Sequence, residues 1–257
     1  MTEPHTHHFT SSPPRPSVPN SYFQFKQFRV EQGECAMKVS TDACVLGAVA
    51  GVTGARHILD VGTGTGLLAL MAAQRNPQAR IEAVELDAIA AGQAAANFRR
   101  SPWAGRLTVH ALALADFACT QPPPFDHIIC NPPFFRRSLR SPSPGRTTAR
   151  HAAPDTLTFA ELARFAADYL TPEGCLTVLL PPPEMVEFER EAAFAGLYPS
   201  QRLVLRHRPG SKSLRHITEF RRQPRPATSA ELALHEADTE AYSERFRELL
   251  GPFYLAL

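Results

Sequence analysis

Two short stretches carry residue types that can do chemistry together. The first is Asp60-Val61-Gly62-Thr63-Gly64-Thr65-Gly66 and the second is Asn131-Pro132-Pro133-Phe134. Glycines let a backbone turn sharply and come close to a ligand, and a helix that follows them offers unpaired N–H groups. The spacing here is G-x-G-x-G with an acidic residue in front. A dinucleotide loop is G-x-G-x-x-G, with a pyrophosphate over the helix N-terminus. A carboxylate at Asp60 would repel a pyrophosphate but favours a cationic ammonium.

An ammonium next to an adenosine is what S-adenosylmethionine presents, and the D-x-G-x-G-x-G form resembles the cofactor loop of Rossmann-like methyltransferases. Glu85 lies at the end of the next strand, where a carboxylate can accept both ribose hydroxyls. NAD would use the same position, so Glu85 speaks for an adenosine-type cofactor without choosing between the two. Asp116, after the third strand, is a candidate for the adenine amino group.

Asn131-Pro132-Pro133-Phe134 suits a weak nucleophile such as an exocyclic amine. The Asn131 side-chain carbonyl and the Pro132 backbone carbonyl can accept its N–H hydrogens and aim the lone pair at a sulfonium methyl. Transfer is then a direct in-line displacement that depends on positioning and electrostatics. The prolines stiffen the turn, and Phe134 offers a flat face for a flipped base. The tetrapeptide resembles the [N/D]-P-P-[Y/F] motif of enzymes that methylate N6 of adenine, N4 of cytosine, N2 of guanine or a glutamine amide.

These motifs need strands to carry them. Apolar segments at His57–Val61, Ile81–Glu85, Leu107–Ala111, Asp126–Cys130 and Cys175–Leu180 alternate with helix patterns at Leu67–Arg75, Asp87–Arg99, Asp155–Leu170 and Pro183–Ala195. That alternation predicts a mostly parallel sheet covered on both faces. Arg202–Arg206 and His216–Phe220 have no helix between them and read as an antiparallel hairpin on the sheet edge. The expected fold is therefore α/β, a Rossmann-like class I methyltransferase with a seven-stranded sheet. Tyr22, Phe23, Phe25 and Phe28 suggest a strand or aromatic hairpin, Asp42 to Ala50 a short apolar helix, and Tyr242–Leu250 a last helical segment. Residues 1–20, rich in His, Ser, Thr and Pro, are expected to be a disordered tail, with residues 21–257 forming one domain.

Composition narrows the field. The chain has 257 residues, 44% of them hydrophobic and 20% charged, with a net charge of +2. That charge is too small to imply nucleic acid by itself. The five cysteines form no C-x-x-C pair, so neither zinc nor a disulfide framework is expected. The longest apolar run, Ala43 to Val52, falls well short of the roughly 18 residues a membrane span needs. A cytoplasmic protein without a metal is the expectation.

A closer resemblance covers nearly all of residues 22–257. Phe25-Lys26-Gln27-Phe28, Cys35-Ala36-Met37-Lys38-Val39, Thr41-Asp42, Leu46-Gly47-Ala48, Ala83-Val84-Glu85-Leu86, Ser101-Pro102-Trp103-Ala104, Tyr242-Ser243-Glu244 and Phe253-Tyr254-Leu255 are similar to the bacterial tRNA(Val) adenine-N6 methyltransferase family. That family modifies the adenosine 3′ of the anticodon. The resemblance implies a tRNA substrate, and places Lys38, Thr41 and Asp42 at the border of the cofactor pocket. Phe134 stands where the family commonly has Tyr, which keeps the ring and loses a hydroxyl.

Basic residues gather twice. Arg136, Arg137, Arg140, Arg146 and Arg150 follow the Asn131 motif, and Arg202, Arg206, Arg208, Lys212, Arg215, Arg221, Arg222 and Arg225 lie near the C-terminus. Both sets can track phosphates, and Arg136, Arg137 and Arg140 are the expected RNA contacts. The rival readings are methylation of protein glutamine or of guanine N2 in ribosomal RNA, and a cofactor-binding protein that grips RNA without catalysis.

Overall fold

The inner strands of the central sheet alternate their side chains between two apolar layers. In the third strand Ile58 enters one layer while Leu59 and Val61 enter the other. The computed structural model describes residues 21–35, 37–132 and 157–257. In chain order the elements are β1 (Tyr22–Gln24), β2 (Arg29–Glu31), α1 (Thr41–Val49), β3 (His57–Val61), α2 (Leu67–Arg75), β4 (Arg80–Glu85) and α3 (Ala88–Arg100). Then come β5 (Leu107–Ala111), α4 (Leu114–Cys119), β6 (Phe125–Cys130), α5 (Phe159–Tyr169), β7 (Leu170–Leu180) and α6 (Pro182–Phe194). The chain closes with β8 (Tyr198–Arg206), β9 (Ser213–Arg221), β10 (Thr228–Ala233) and α7 (Glu244–Leu250).

The sheet order is β10-β8-β9-β7-β6-β3-β4-β5. Strands β3 to β7 pair in parallel, and β9 is antiparallel to both β7 and β8. Order reverses at β3, with β4 and β5 on one side and β6 and β7 on the other. A crevice at the carboxyl ends of the strands is the ligand position for such a sheet. Helices α1, α2, α3 and α7 cover one face and α4, α5 and α6 the other. Burial on both faces explains why the parallel strands read as continuous apolar runs.

The antiparallel hairpin is present as β8 and β9, but it does not end the sheet. An eighth strand, β10, lies parallel to β8 from Thr228↔Gln201 to Ala233↔Arg206. Only Leu232 of that strand is buried, so it has no apolar alternation to announce it. Its side-chain anchor is Arg206, which donates from Nε and Nη2 to the two carboxylate oxygens of Glu231 at 3.0 and 2.7 Å. Helix α4 was likewise not expected. It is six residues long, and only Leu114 and Phe117, three apart, are buried.

The aromatic residues near the N-terminus form the hairpin β1–β2. Phe25 stacks on Phe28 with ring centroids 4.5 Å apart, and bridges to Tyr254 near the C-terminus. Asn97 of α3 fastens this hairpin to the glycine loop. Its amide donates to the carbonyls of Glu31 and Thr65 at 2.9 and 2.8 Å, and its carbonyl accepts the Glu31 N–H at 3.0 Å.

Truncating Asn97 strands three backbone groups at a buried junction. Asn97→Ala is expected to destabilise the fold by about 3 kcal/mol, from the cost of unmatched buried polar groups. Urea unfolding of the two proteins measures the difference, and a loss under about 1 kcal/mol would show that water replaces the clip.

Candidate active site

The glycine loop leaves β3 at Val61 and turns into α2 through three left-handed residues, Gly62, Gly64 and Gly66, at φ of 69°, 55° and 85°. L-residues with a Cβ rarely adopt this conformation. The amides of Gly62 and Thr63 donate to the Val84 carbonyl at 2.8 and 3.2 Å, holding the loop to β4. Glu85, at the end of β4, accepts from the Gly64 amide at 2.9 Å and from the Asp87 amide at 3.0 Å. Asp87 in turn caps α3 by accepting from the amides of Ile89 and Ala90.

Asp60 is fully buried behind this loop. Its Oδ2 accepts from Thr63 Oγ1 at 2.6 Å and from the Ala69 amide at 3.1 Å. Its Oδ1 has no partner among the described residues. Burial pushes the carboxyl up to about 7, against the hydrogen bonds from Thr63 and Ala69 that pull it down, and Glu85 pushes it further up.

In front of the loop opens a cavity of about 620 Å³. Its floor is Val61 to Thr65. One wall is Glu85 to Asp87 and Leu112 to Ala115, at the ends of β4 and β5. The other carries Lys38 and Val39, and Leu157 and Glu161 of the α5 region close it. Asn131 follows β6 directly and reaches the cavity. The Asn131 Oδ1 is buried and also lacks a donor among the described residues. Cys35 lines the cavity too, but burial and the nearby Glu85, Asp87 and Glu34 push its thiol up to about 11. It stays protonated and is no nucleophile.

Of the residues singled out in the sequence, Lys38, Gly62, Gly64, Glu85 and Asn131 meet on the cavity wall, with Asp60 and Gly66 just behind it. Thr41 and Asp42 do not line it. They open α1, where Asp42 accepts a hydrogen bond from Ser40 and an ion pair from Arg215 Nε at 3.1 Å. Asp116 does not line it either, because α4 turns its side chain into solvent. Pro132 is buried. Phe134, Arg136, Arg137 and Arg140 lie outside the described residues, as does the tail 1–20. Sequence reading missed Asp87, Leu157 and Glu161. Thr158-x-x-Glu161, a helix-start signature, was the available signal for the last.

The C-terminal basic cluster is largely compensated where it stands. Arg202 pairs with Glu189, Arg206 with Glu231, Arg208 with Glu240, Arg215 with Asp42 and Arg221 with Glu219. Lys212 is exposed. Among the described residues no group of three His, Cys, Asp or Glu is arranged to hold a metal ion, and no helix is long and apolar enough to cross a membrane.

A family model described as the methyltransferase small domain matches residues 45–182. A tRNA1(Val) (adenine(37)-N6)-methyltransferase from Dyadobacter fermentans is 44% identical over 239 residues, covering 92% of this chain and 98% of that protein. Another from Shewanella frigidimarina is 38% identical over 251 residues, covering 91% and 99%. The chain belongs to this methyltransferase family. Among solved structures, a predicted O-methyltransferase from Agrobacterium tumefaciens matches with a TM-score of 0.60 at 22% identity, over 84% of this chain and 99% of that one. The ribosomal protein L11 methylase of Lactobacillus delbrueckii subsp. bulgaricus matches at 0.53 and 15% identity, over 76% and 84%. Those two share the fold, the class I methyltransferase architecture, with this family member.

The loop's geometry can be tested through two glycines. A Cβ on Gly66 would sit 2.5 Å from Phe98 Cε1 as well as at positive φ, whereas one on Gly92, inside α3, meets nothing within 4 Å. Gly66→Ala is expected to cost at least about 2 kcal/mol. Gly92→Ala should add about 0.5–1 kcal/mol. Thermal unfolding of both variants checks this, and equal shifts would show that the loop is not bound to its left-handed path.

Proposed function

We propose that this chain transfers a methyl group from S-adenosylmethionine to the exocyclic N6 amine of an adenine in tRNA. The relatives' names point to adenine 37 of a valine tRNA. The observation that carries the reading is the pair of donor-less acceptors, Asn131 Oδ1 and Asp60 Oδ1, beside a cavity whose glycine loop follows an acidic strand end.

The cofactor supplies an electrophilic methyl group on a sulfonium. The chain's own residues orient and polarise. The carboxylate of Glu85, fixed by the Gly64 and Asp87 amides, suits the ribose hydroxyls. Asp60 places a negative charge under the loop, where it favours the ammonium over any phosphate. Asn131 Oδ1 accepts one hydrogen of the target amine and the Pro132 carbonyl the other. Each acceptor draws electron density towards the nitrogen, so its lone pair localises and points along the line of attack. As the carbon–nitrogen bond forms, the methyl–sulfur bond would break and leave a neutral thioether, and the proton then lost from the cationic nitrogen would pass to water. Phe134 enters the reading on sequence grounds as the stacking face for the base, and Arg136, Arg137 and Arg140 as phosphate contacts.

Labelled cofactor with unmodified tRNA, followed by nucleoside analysis, tests the reaction directly. Label in N6-methyladenosine is the expected result, and label confined to protein glutamine or to guanosine would move the substrate. Asn131→Ala should lower kcat by about 10²–10³, the scale of one lost transition-state hydrogen bond, with cofactor affinity changed less than about threefold.

Asp60 adds a pH test. Its carboxyl titrates at about 7, and only the ionised form attracts a cation. Cofactor affinity should therefore strengthen as pH rises from 6 to 7.5, and the slope should flatten in Asp60→Asn. Calorimetric titration across that range reads it, and an identical slope in the variant would remove Asp60 from cofactor binding.

A further inference from the structure

The cavity has an acidic wall that the reading above does not use. Strand order sets the direction along it. With S-adenosylmethionine in the cavity, the glycine loop after β3 would meet the amino-acid end, Glu85 after β4 the ribose, and Leu112 to Ala115 after β5 the adenine. Asp116, the residue expected there, is exposed on α4 and stands off the cavity. The carboxylate that does reach this end comes from another element. Leu157 packs into the same apolar layer as Leu112 and Leu114, and Glu161, one turn into the helix, lines the cavity beside it.

Glu161 is held in one orientation by its own helix start. Its Oε2 accepts from the Thr158 amide and from Thr158 Oγ1, both at 2.8 Å, while its amide donates to Thr158 Oγ1 at 3.2 Å. That reciprocal capping box uses one carboxylate oxygen. Oε1 has no partner among the described residues. A carboxylate fixed by one oxygen and free at the other is a preorganised acceptor, so little rotamer entropy is lost when a donor arrives.

We propose that Glu161 accepts the 6-amino group of the cofactor's adenine and makes the site select an amino purine over an oxo purine. The assignment rests on the reading of the cavity as an S-adenosylmethionine site. An adenine amine donates to the free oxygen, whereas a hypoxanthine carbonyl in the same place meets it acceptor to acceptor. Glu161 is exposed in this structure, so the discrimination is that of one charge-assisted hydrogen bond gained with the amine and lost with the carbonyl.

The test compares S-adenosylhomocysteine with S-inosylhomocysteine, the 6-oxo analogue, by calorimetric titration of the full chain. The wild type should prefer the adenosine compound by about tenfold or more. Glu161→Gln is the informative variant, because glutamine also completes a capping box and so leaves the helix start intact. Its amide can turn a donor towards the oxo group, and the preference should shrink to within about threefold. Glu161→Ala should lose about tenfold for the adenosine compound and little for the inosine one. Thermal unfolding of each variant reports the helix cap separately. An unchanged preference in Glu161→Gln would overturn the proposal and leave the cofactor reading standing. Failure of both compounds to bind the wild type would remove the cofactor reading itself, and the proposal with it.

Discussion

The hydrogen bond from the Gly64 amide to Glu85 holds two neighbouring strand ends in one geometry, and the site depends on it. β3 and β4 are registered in parallel from His57↔Arg80 to Val61↔Val84, so their carboxyl ends emerge side by side. The loop after β3 then folds back over β4, giving its Gly62 and Thr63 amides to Val84 and its Gly64 amide to Glu85. A loop fixed this way must run through left-handed residues, which requires glycine. Phe98 of α3 presses against Gly66 from behind, and Asn97 one residue earlier grips Thr65. Glycine loop, helix α3 and N-terminal hairpin therefore form one packed unit.

Charge is arranged with the same economy. The chain is nearly neutral, yet its carboxylates and arginines are separated by task. Glu85, Asp87 and Glu161 face the cavity, with Asp60 buried beneath it. Among the arginines of β8 and β9, Arg202, Arg206 and Arg215 pair with acidic residues on neighbouring elements, and Arg221 pairs with Glu219 of its own strand. Arg202 reaches α6, Arg206 reaches β10, and Arg215 reaches the start of α1. Partly exposed pairs like these add little stability individually. The geometric effect of Arg206–Glu231 is larger, because it fastens an edge strand with almost no apolar side to the rest of the sheet.

The parallel core was legible because its strands are buried on both faces. His57–Val61 and Leu107–Ala111 stand where the apolar runs put them, and Leu67–Arg75 begins and ends as its pattern requires. β10 was hidden, since an exposed edge strand has no alternation to show. The glycine loop, Glu85 and Asn131 could be read from spacing alone, because the chemistry ties each to a strand end. Asp116 could not be placed this way. Its position depends on whether the chain after β5 extends or coils, and the burial of Leu114 and Phe117 coils it into α4. Glu161 lies far along the chain and on a helix, so only the packing of α5 against α4 brings it to the cavity. Thr41 and Asp42 show the same limit of local reading, since a residue three or four positions from the cavity wall at Lys38 already faces a different partner.

The distribution of satisfied and unsatisfied atoms around the loop argues for amine chemistry. Leaving a buried acceptor without a donor costs roughly 1–3 kcal/mol, and folded proteins keep such groups few. Here Glu85 has a donor on each oxygen, and Asp60 Oδ2 and Thr63 are bonded to each other. Asn131 Oδ1 is left open on the cavity wall and Asp60 Oδ1 beneath the glycine loop. Both are acceptors, so what completes them must bring N–H or O–H groups. A cofactor ammonium on one side and a target amine on the other supply donors of the right kind. The cost of each open acceptor in the ligand-free protein is relieved when its own donor arrives, which strengthens the binding of a partner that brings one.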